Sequence, residues 1–153
     1  MFKFVNIKSI FTSLITISIF VSGCSLTAKK SPQLFQSYSN YRYSTNDKNI
    51  KIVAKNYFSK SLLGKDYKTN KDAESQLLFK SYMSKIATHY EAIYGENGCL
   101  VINGYDKENA PVIFKLTYIL SDGKWLINNI DVVLAENKND FVNTAKCSSE
   151  IPQ

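Results

Sequence analysis

The sequence predicts an α+β domain, in which two helices pack on one face of a curved antiparallel sheet of about three strands. Apolar residues recur with helical spacing up to about Tyr94, and they alternate with a period of two after Cys99. Asp122-Gly123 separates two alternating runs, which is typical of a tight hairpin turn. The 153 residues suffice for one compact domain and not for two.

The first 23 residues have the composition of an export signal. Lys3 and Lys8 give a positive start, and the uncharged run IFTSLITISIFV occupies residues 10–21. This run suits the apolar region of a signal peptide and falls short of the roughly 20 residues that a membrane-spanning helix needs. We therefore predict that residues 1–23 are a signal peptide.

A cysteine with a short apolar and small-residue prefix follows this run. The tetrapeptide Val21-Ser22-Gly23-Cys24 resembles the lipobox of bacterial lipoproteins. The resemblance implies cleavage between Gly23 and Cys24, and attachment of diacylglyceryl and palmitate chains that anchor the protein to a membrane. It also implies a cell-envelope location, and Ser25 implies the outer membrane, facing the periplasm, if the host is Gram-negative. The alternative is an ordinary signal peptide followed by an unrelated cysteine.

Charge is distributed unevenly along the chain. Residues 24–90 carry twelve Lys or Arg and four acids, a net +8, whereas residues 91–153 carry five Lys and nine acids, a net −4. The basic half suits anionic lipid headgroups, to which each lysine contributes about 1 kcal/mol near the surface; a solvated lysine-rich surface is the alternative. Arg42 is the only arginine. Because arginine is preferred for bidentate contacts with phosphates and bases, we expect no nucleic-acid partner.

The segment after the anchor is predicted to be a flexible tether. Residues 24–47 are rich in Ser and Asn, and a single α+β domain is expected over residues 48–150. Tyr38, Tyr41 and Tyr43 interrupt the polar segment. We expect them to pack on the domain as a short strand; contact with a partner or a glycan is the alternative.

Two helices are predicted at the start of the domain. In residues 50–62 the apolar side chains follow i, i+3, i+4, i+7 spacing, and Gly64 is a suitable C-terminal stop. Asp72 can cap a second helix that runs to about Tyr94. Its apolar face would consist of Phe79, Met83, Ile86, Tyr90 and Ile93.

Three strands are predicted after the helices. Residues 99–102 (CLVI) form a short apolar strand, and residues 112–120 alternate strictly between the two faces. Residues 125–134 return after the hairpin turn, but their alternation slips at Asn128-Asn129. A β-bulge at this point would restore the apolar face.

Two cysteines remain besides Cys24. Outside the cytoplasm Cys99 and Cys147 can form one intrachain disulfide, which would close a loop of about fifty residues. The chain-entropy estimate for such a loop is roughly 4 kcal/mol. Free buried thiols and intermolecular pairing are the alternatives.

No catalytic or metal-binding pattern stands out in the sequence. Gly64-Lys65 lacks the other residues of a phosphate-binding loop. His89 is the only histidine, so neither a Ser-His-Asp triad nor a zinc cluster is supported. We interpret His89 as a helix residue beside the apolar face, and we expect a non-enzymatic domain without cofactor or metal.

The closing hairpin carries a second resemblance. Residues 50–134 resemble a reduced form of the NTF2-like, or cystatin-like, α+β fold, through the two early helices and the segment Gly123-Lys124-Trp125-Leu126-Ile127-Asn128-Asn129-Ile130. The resemblance implies a curved sheet that embraces a helix and encloses a small apolar pocket. The catalytic residues of enzymatic members have no counterparts here, and fewer strands are predicted than that fold usually has.

Together these patterns predict a membrane-anchored cell-envelope lipoprotein with a small non-enzymatic binding or scaffold domain. Its partner would be an envelope protein, a glycan or a lipid. The alternative is a carrier of a small hydrophobic molecule or lipid in a pocket between sheet and helices. Candidate lining residues are Tyr82, Tyr90 and Tyr118, which otherwise belong to the core.

Overall fold

The computed structural model describes residues 33–147, which form an α+β domain around one antiparallel sheet with strand order β1-β2-β3-β4. The predicted signal peptide, the lipidation and cleavage site at Gly23 and Cys24, and residues 24–32 and 148–150 lie outside the described residues. The helices are α1 (Gln33–Ser44), α2 (Ile50–Val53), α3 (Lys60–Leu63) and α4 (Ala73–Leu77). The strands are β1 (Lys85–Tyr94), β2 (Asn97–Tyr105), β3 (Pro111–Ser121) and β4 (Lys124–Leu134). Three 3₁₀ turns cover Ala54–Asn56, Phe79–Tyr82 and Lys138–Asp140.

The last three strands confirm the predicted meander. On β3 the alternate residues Val112, Phe114, Leu116 and Tyr118 are buried beneath the helices. Asp122 and Gly123 both adopt positive φ, 50° and 73°, and they close a two-residue turn between Ser121 and Lys124.

The predicted β-bulge is also confirmed. Thr117 pairs with Asn129 and Tyr118 with Ile127, so Asn128 is the extra residue on β4. The bulge keeps apolar side chains on both sides of it in contact with the same core, namely Trp125, Ile127, Ile130 and Val132.

Strand β1 shows that the predicted second helix is wrong, and it raises the strand count from three to four. Only α4 and the 3₁₀ turn Phe79–Tyr82 are helical in that segment. A register shift between Ile86 and Thr88 changes the alternation, so that Ile86 and Ile93 contact the same core although they are seven residues apart. This spacing also fits a helix, which is why periodicity alone predicted one. The segment instead pairs with β2 through a hairpin turn in which Gly95 adopts a φ of 59°, and this pairing makes it a strand.

The predicted helix over residues 50–62 is broken into α2, a 3₁₀ turn and α3. Hydrogen bonds to β4 break it: the Ile127 N–H donates to the Tyr57 carbonyl (2.7 Å), and the Ser59 N–H donates to the Ile127 carbonyl (2.9 Å). The Ser59 side chain then caps α3 by accepting from the Leu62 N–H at 3.1 Å. The interrupted segment covers the outer edge of β4.

Helix α1 lies where the sequence predicted a flexible tether over residues 24–47, so that prediction is wrong for the residues of α1. Leu34, Tyr38 and Tyr41 follow i, i+4, i+7 spacing and are completely buried. Tyr43 is 85% exposed. The expected packing of tyrosines on the domain is therefore found for two of the three, on a helix and not on a strand.

The carboxylate of Glu91 on β1 holds the N-terminal end of α1. One oxygen accepts from the Gln33 N–H at 2.8 Å, and the other accepts from the N–H groups of Leu34 and Phe35 at 3.0 Å. The first turn of α1 contains no acidic residue of its own. Glu91 therefore supplies from the sheet the negative charge that a helix N-terminus favours.

A positive charge holds the opposite end of α1. The Lys80 ammonium group donates to the Arg42 carbonyl at 2.6 Å and to the Thr45 carbonyl. It also lies 5.7 Å from the centre of the Tyr41 ring. Burial, and secondarily the charge of Arg42, lower the pKa of the Lys80 amine. The bonds to the last carbonyls of α1 match the negative end of the helix dipole.

Aromatic side chains fill the space between the helices and the sheet. The Tyr41 ring stacks on Phe79 with centroids 5.2 Å apart, and its hydroxyl donates to the Leu77 carbonyl at 2.6 Å. The largest completely buried side chains of this core are Tyr38, Tyr41, Phe58, Phe79, Phe114 and Tyr118.

The chain after β4 covers the other face of the sheet. The predicted disulfide is confirmed, because Cys99 on β2 is bonded to Cys147 with Cα atoms 5.3 Å apart. Asn103, 1% exposed, accepts from the Val142 N–H at 3.1 Å and donates to its carbonyl at 2.7 Å. These bonds hold the segment onto a small apolar cluster that includes Val101, Ile113, Phe141 and Ala145.

We predict that Glu91→Ala lowers the free energy of unfolding by about 2 kcal/mol, because three partly buried helix N–H groups lose a charged acceptor. Urea denaturation followed by far-UV circular dichroism measures the change. Glu96→Ala is the matched control, since Glu96 is exposed in the adjoining turn, and its effect should stay within about 0.5 kcal/mol. Equal stability of the Glu91→Ala variant and the wild type would contradict the capping role.

We predict that Cys99 and Cys147 both resist alkylation in the native protein without reductant. Replacing both with alanine should lower the free energy of unfolding by up to about 4 kcal/mol, because the bridge closes a loop with a sequence separation of 48 residues. Mass spectrometry reports the alkylation and denaturant titration the stability. Labelling of both native thiols would exclude the disulfide.

Candidate functional site

A groove of about 670 Å³ lies between α1 and the hairpin turns of the sheet. Its volume falls within the range of roughly 300–1,000 Å³ that is usual for small-molecule sites. Most of the lining side chains are polar on the α1 side and apolar on the sheet side. The residues are Gln33, Gln36, Ser37, Asn40, Tyr57, Ile93, Gly95, Leu120, Gly123, Lys124 and Trp125.

Helix α1 forms the polar wall of the groove. Gln33, Gln36, Ser37 and Asn40 follow i, i+3, i+4, i+7 spacing, so they share one side of the helix. Because Leu34, Tyr38 and Tyr41 on the adjoining side are buried in the core, the polar side lies at the edge of the helix–sheet contact. Gln36 and Asn40 are exposed, and their amide groups are accessible from the groove.

Trp125, at the start of β4, joins the helix wall to the sheet. Its indole N–H donates to the Gln33 side-chain oxygen at 3.2 Å, and its carbonyl accepts from the Ser37 hydroxyl at 3.0 Å. These two bonds fix the spacing between α1 and β4. The half-buried side chains of Ile93 and Leu120 add apolar surface beside the indole.

The lining of the groove suits hydrogen bonding better than acid–base chemistry. A side-chain amide offers both donors and an acceptor, and a serine hydroxyl does the same. Lys124 is the one charged residue of the lining given above, which contains no carboxylate, imidazole or thiol. The groove can therefore bind a neutral polar ligand against an aromatic surface.

A second cavity, of about 250 Å³, lies beneath α3 and α4. Tyr67 lines it, and the buried Tyr67 hydroxyl has no hydrogen-bond partner among residues 33–147. Gln76 lines the same cavity. Its volume is below the usual range for ligand sites, so the α1 groove is the stronger candidate.

The structure does not bring together the three tyrosines that the sequence predicted to line a pocket. Tyr118 is 1% exposed in the core beneath the helices, and Tyr90 packs on the opposite face of the sheet. Tyr82 is 53% exposed, in a 3₁₀ turn. Burial raises the pKa of Tyr118 well above its usual value, and its hydroxyl lacks a partner within the described residues.

His89 lies on β1 and not on a helix, which corrects its predicted position. Its ring stacks on Phe35 of α1 with centroids 3.6 Å apart and an angle of 4° between the planes. This contact adjoins the Glu91 cap and helps to hold α1 on the sheet. Within residues 33–147 no three or more His, Cys, Asp or Glu side chains cluster so that they could hold a metal ion.

The groove residues on α1 were not predicted from the sequence. The signal was present, because the polar positions 33, 36, 37 and 40 repeat with the same helical spacing as the buried Leu34, Tyr38 and Tyr41. The high content of Ser, Asn and Gln instead suggested a tether. Trp125 was predicted only as a strand residue.

Comparison with known proteins adds no relative, since no protein family, curated protein or solved structure matches the chain. No helix between residues 33 and 147 combines the length and the apolar character that crossing a bilayer requires.

Proposed function

We propose that this protein is a lipid-anchored protein of the cell envelope whose domain binds a hydroxyl-rich ligand of the saccharide class in the α1 groove. The observation that carries the proposal is the lining of the groove. Amide and hydroxyl groups of Gln36, Ser37 and Asn40 stand on one wall, beside the half-buried indole of Trp125.

The chemistry of this lining matches a saccharide. Each sugar hydroxyl donates and accepts hydrogen bonds. The amides of Gln36 and Asn40 can do both in return, whereas the Ser37 hydroxyl donates to the Trp125 carbonyl and can accept from a ligand. The C–H surface of a sugar ring is apolar enough to pack on an aromatic side chain, and the half-buried Trp125 contributes to the lining of the groove. A nearly uncharged lining also suits a neutral ligand, because burying an unpaired charge is costly.

The lipobox-like segment Val21-Ser22-Gly23-Cys24 supports the anchoring part of the proposal. Acyl chains on Cys24 would hold the domain at a membrane, where envelope glycans are within reach. The residues that line the groove include no carboxylate, imidazole or thiol, and this composition supports binding without catalysis.

A relation to the NTF2-like, or cystatin-like, fold belongs to the same proposal. The bulged hairpin over residues 123–130 and the packing of helices on one face of the sheet support it. The sheet has four strands, one more than the reduced form of that fold that the sequence suggested.

The fluorescence of Trp125 tests the groove directly, because Trp125 is the only tryptophan in the chain. We predict that a neutral or N-acetylated oligosaccharide shifts the emission of the full-length protein with saturation. Gln36→Leu and Asn40→Leu should each weaken binding about tenfold, because a ligand hydroxyl then loses its partner.

Gln76→Leu is the matched control for these variants, since it makes the same kind of change at the second cavity. It should leave the affinity unchanged. An emission that stays constant across the oligosaccharide panel, or equal affinity in all variants, would contradict binding in the groove.

We further predict that Cys24→Ala abolishes the incorporation of labelled palmitate and releases the folded domain from the membrane fraction. The Cys99→Ala/Cys147→Ala double variant is the control, because it removes the other cysteines and keeps Cys24. Labelling of the control but not of Cys24→Ala is the expected result. A Cys24→Ala protein that stays membrane-bound as before would overturn the anchoring proposal.

A further inference from the structure

An exposed basic surface surrounds Ile52. Helical turns run through residues 47–57, and Lys48, Lys51, Ile52 and Lys55 share one side of them by i, i+3, i+4, i+7 spacing. On the opposite side Ile50 and Ala54 are completely buried. Of the large aliphatic side chains among residues 33–147, Ile52 is the most exposed, at 78%.

A neighbouring turn extends this surface. The Lys51 ammonium group donates to the Asn70 carbonyl at 3.0 Å, which places residues 66–71 beside α2. Lys68 and Lys71 belong to that turn and are exposed. We call the set Lys48, Lys51, Ile52, Lys55, Lys68 and Lys71 the Ile52 face.

The charge of this region is strongly positive and is not neutralised locally. Residues 47–72 contain seven lysines and three aspartates (Asp47, Asp66 and Asp72), a net charge of +4. Among residues 33–147 the one ion pair within 4.0 Å joins Lys107 to Glu108, outside this region. Four of the five lysines of the Ile52 face are exposed and available to an external anionic partner, whereas Lys51 is half-buried and donates to the Asn70 carbonyl.

The chemistry of the Ile52 face favours a lipid surface as that partner. An exposed aliphatic side chain among lysines is typical of surfaces that lie at the boundary between headgroups and acyl chains. Lysine stems can lie along apolar surface while their charges stay at the level of the headgroups. Residues 47–72 contain no arginine, which is the residue that nucleic-acid-binding proteins prefer for contacts with phosphates and bases.

The length of chain before the domain brings this surface within reach of a membrane. Nine residue steps separate Cys24 from Gln33, so an anchor at Cys24 keeps the start of α1 within about 30 Å of the bilayer. Helix α1 is about 18 Å long, and the helical turns that carry Ile52 begin just after its C-terminal end. The domain can therefore lay the Ile52 face on the membrane that holds it.

We propose that the Ile52 face rests on anionic phospholipid headgroups, with the Ile52 side chain inserted between them. This inference rests on the proposed anchoring at Cys24 and does not depend on the ligand of the groove. The contact orients the domain on the membrane.

Lysine accessibility in the lipid-anchored protein, which begins at Cys24, tests this contact. The protein is reconstituted into vesicles of phosphatidylcholine alone, or of phosphatidylcholine with phosphatidylglycerol, and is treated with an amine-acetylating reagent. Mass spectrometry then gives the rate at each lysine. We expect acetylation at Lys48, Lys51 and Lys55 to be about threefold slower on vesicles that contain phosphatidylglycerol than on vesicles of phosphatidylcholine alone. The acetylation rate should recover in about 0.5 M salt.

Two internal controls and one pair of variants make the test specific. Lys107 and Lys138 are exposed in other parts of the structure and should react equally on both kinds of vesicle. Ile52→Ser should reduce the protection of the three lysines. Leu134→Ser, which changes another exposed aliphatic residue (73% exposed), should leave it unchanged.

Two negative results have different meanings. If the protein stays with the vesicles but the three lysines react equally on both compositions, or if Lys107 and Lys138 are protected to the same extent, the Ile52-face inference alone is overturned. If the protein does not remain with vesicles of either composition, the anchoring at Cys24 and this inference both fail.

Discussion

The position of α1 depends on charges that lie at both of its ends and belong to other parts of the chain. Glu91 of β1 accepts hydrogen bonds from three N–H groups of the first turn, and Lys80 donates to carbonyls at the last turn. The two charges complement the helix dipole. A helix of 12 residues is marginal in water by itself. The rest of the domain therefore determines that this polar segment is helical at all.

The docking of α1 contributes to two features of the domain, the aromatic core and the groove proposed as a binding site. On the inner side, Leu34, Tyr38 and Tyr41 complete the aromatic core over the sheet. On the outer side, the polar residues of α1 become one wall of the groove, opposite Trp125. If the segment were a tether, the core would lack these three side chains and the groove would lack its polar wall. One polar sequence thus contributes to the core through one side and to the proposed binding groove through the other.

Local rules predicted the parts of the fold that local chemistry determines. The strand alternation of β3, the Asp122-Gly123 turn and the bulge at Asn128 all follow from short-range patterns, and the structure confirms them. The predictions were wrong where residues distant in sequence determine the local structure. Glu91 accepts hydrogen bonds from the first turn of α1, and hydrogen bonds to Ile127 interrupt the helix expected over residues 50–62. Within the candidate site, the sequence placed Trp125 correctly on a strand. The groove that Trp125 lines depends on the docking of α1 and was not predictable from residue spacing alone.

Hydrogen exchange along α1 tests most directly whether this helix is an integral part of the domain. In the native protein at neutral pH, the account predicts that the amides of residues 36–44 exchange at least 100-fold more slowly than in an unstructured peptide, because they are hydrogen-bonded within a docked helix. Amides of β3 serve as the internal reference for the core. Exchange of residues 36–44 at the rate of an unstructured peptide, beside a protected β3, would show that the segment is a tether after all.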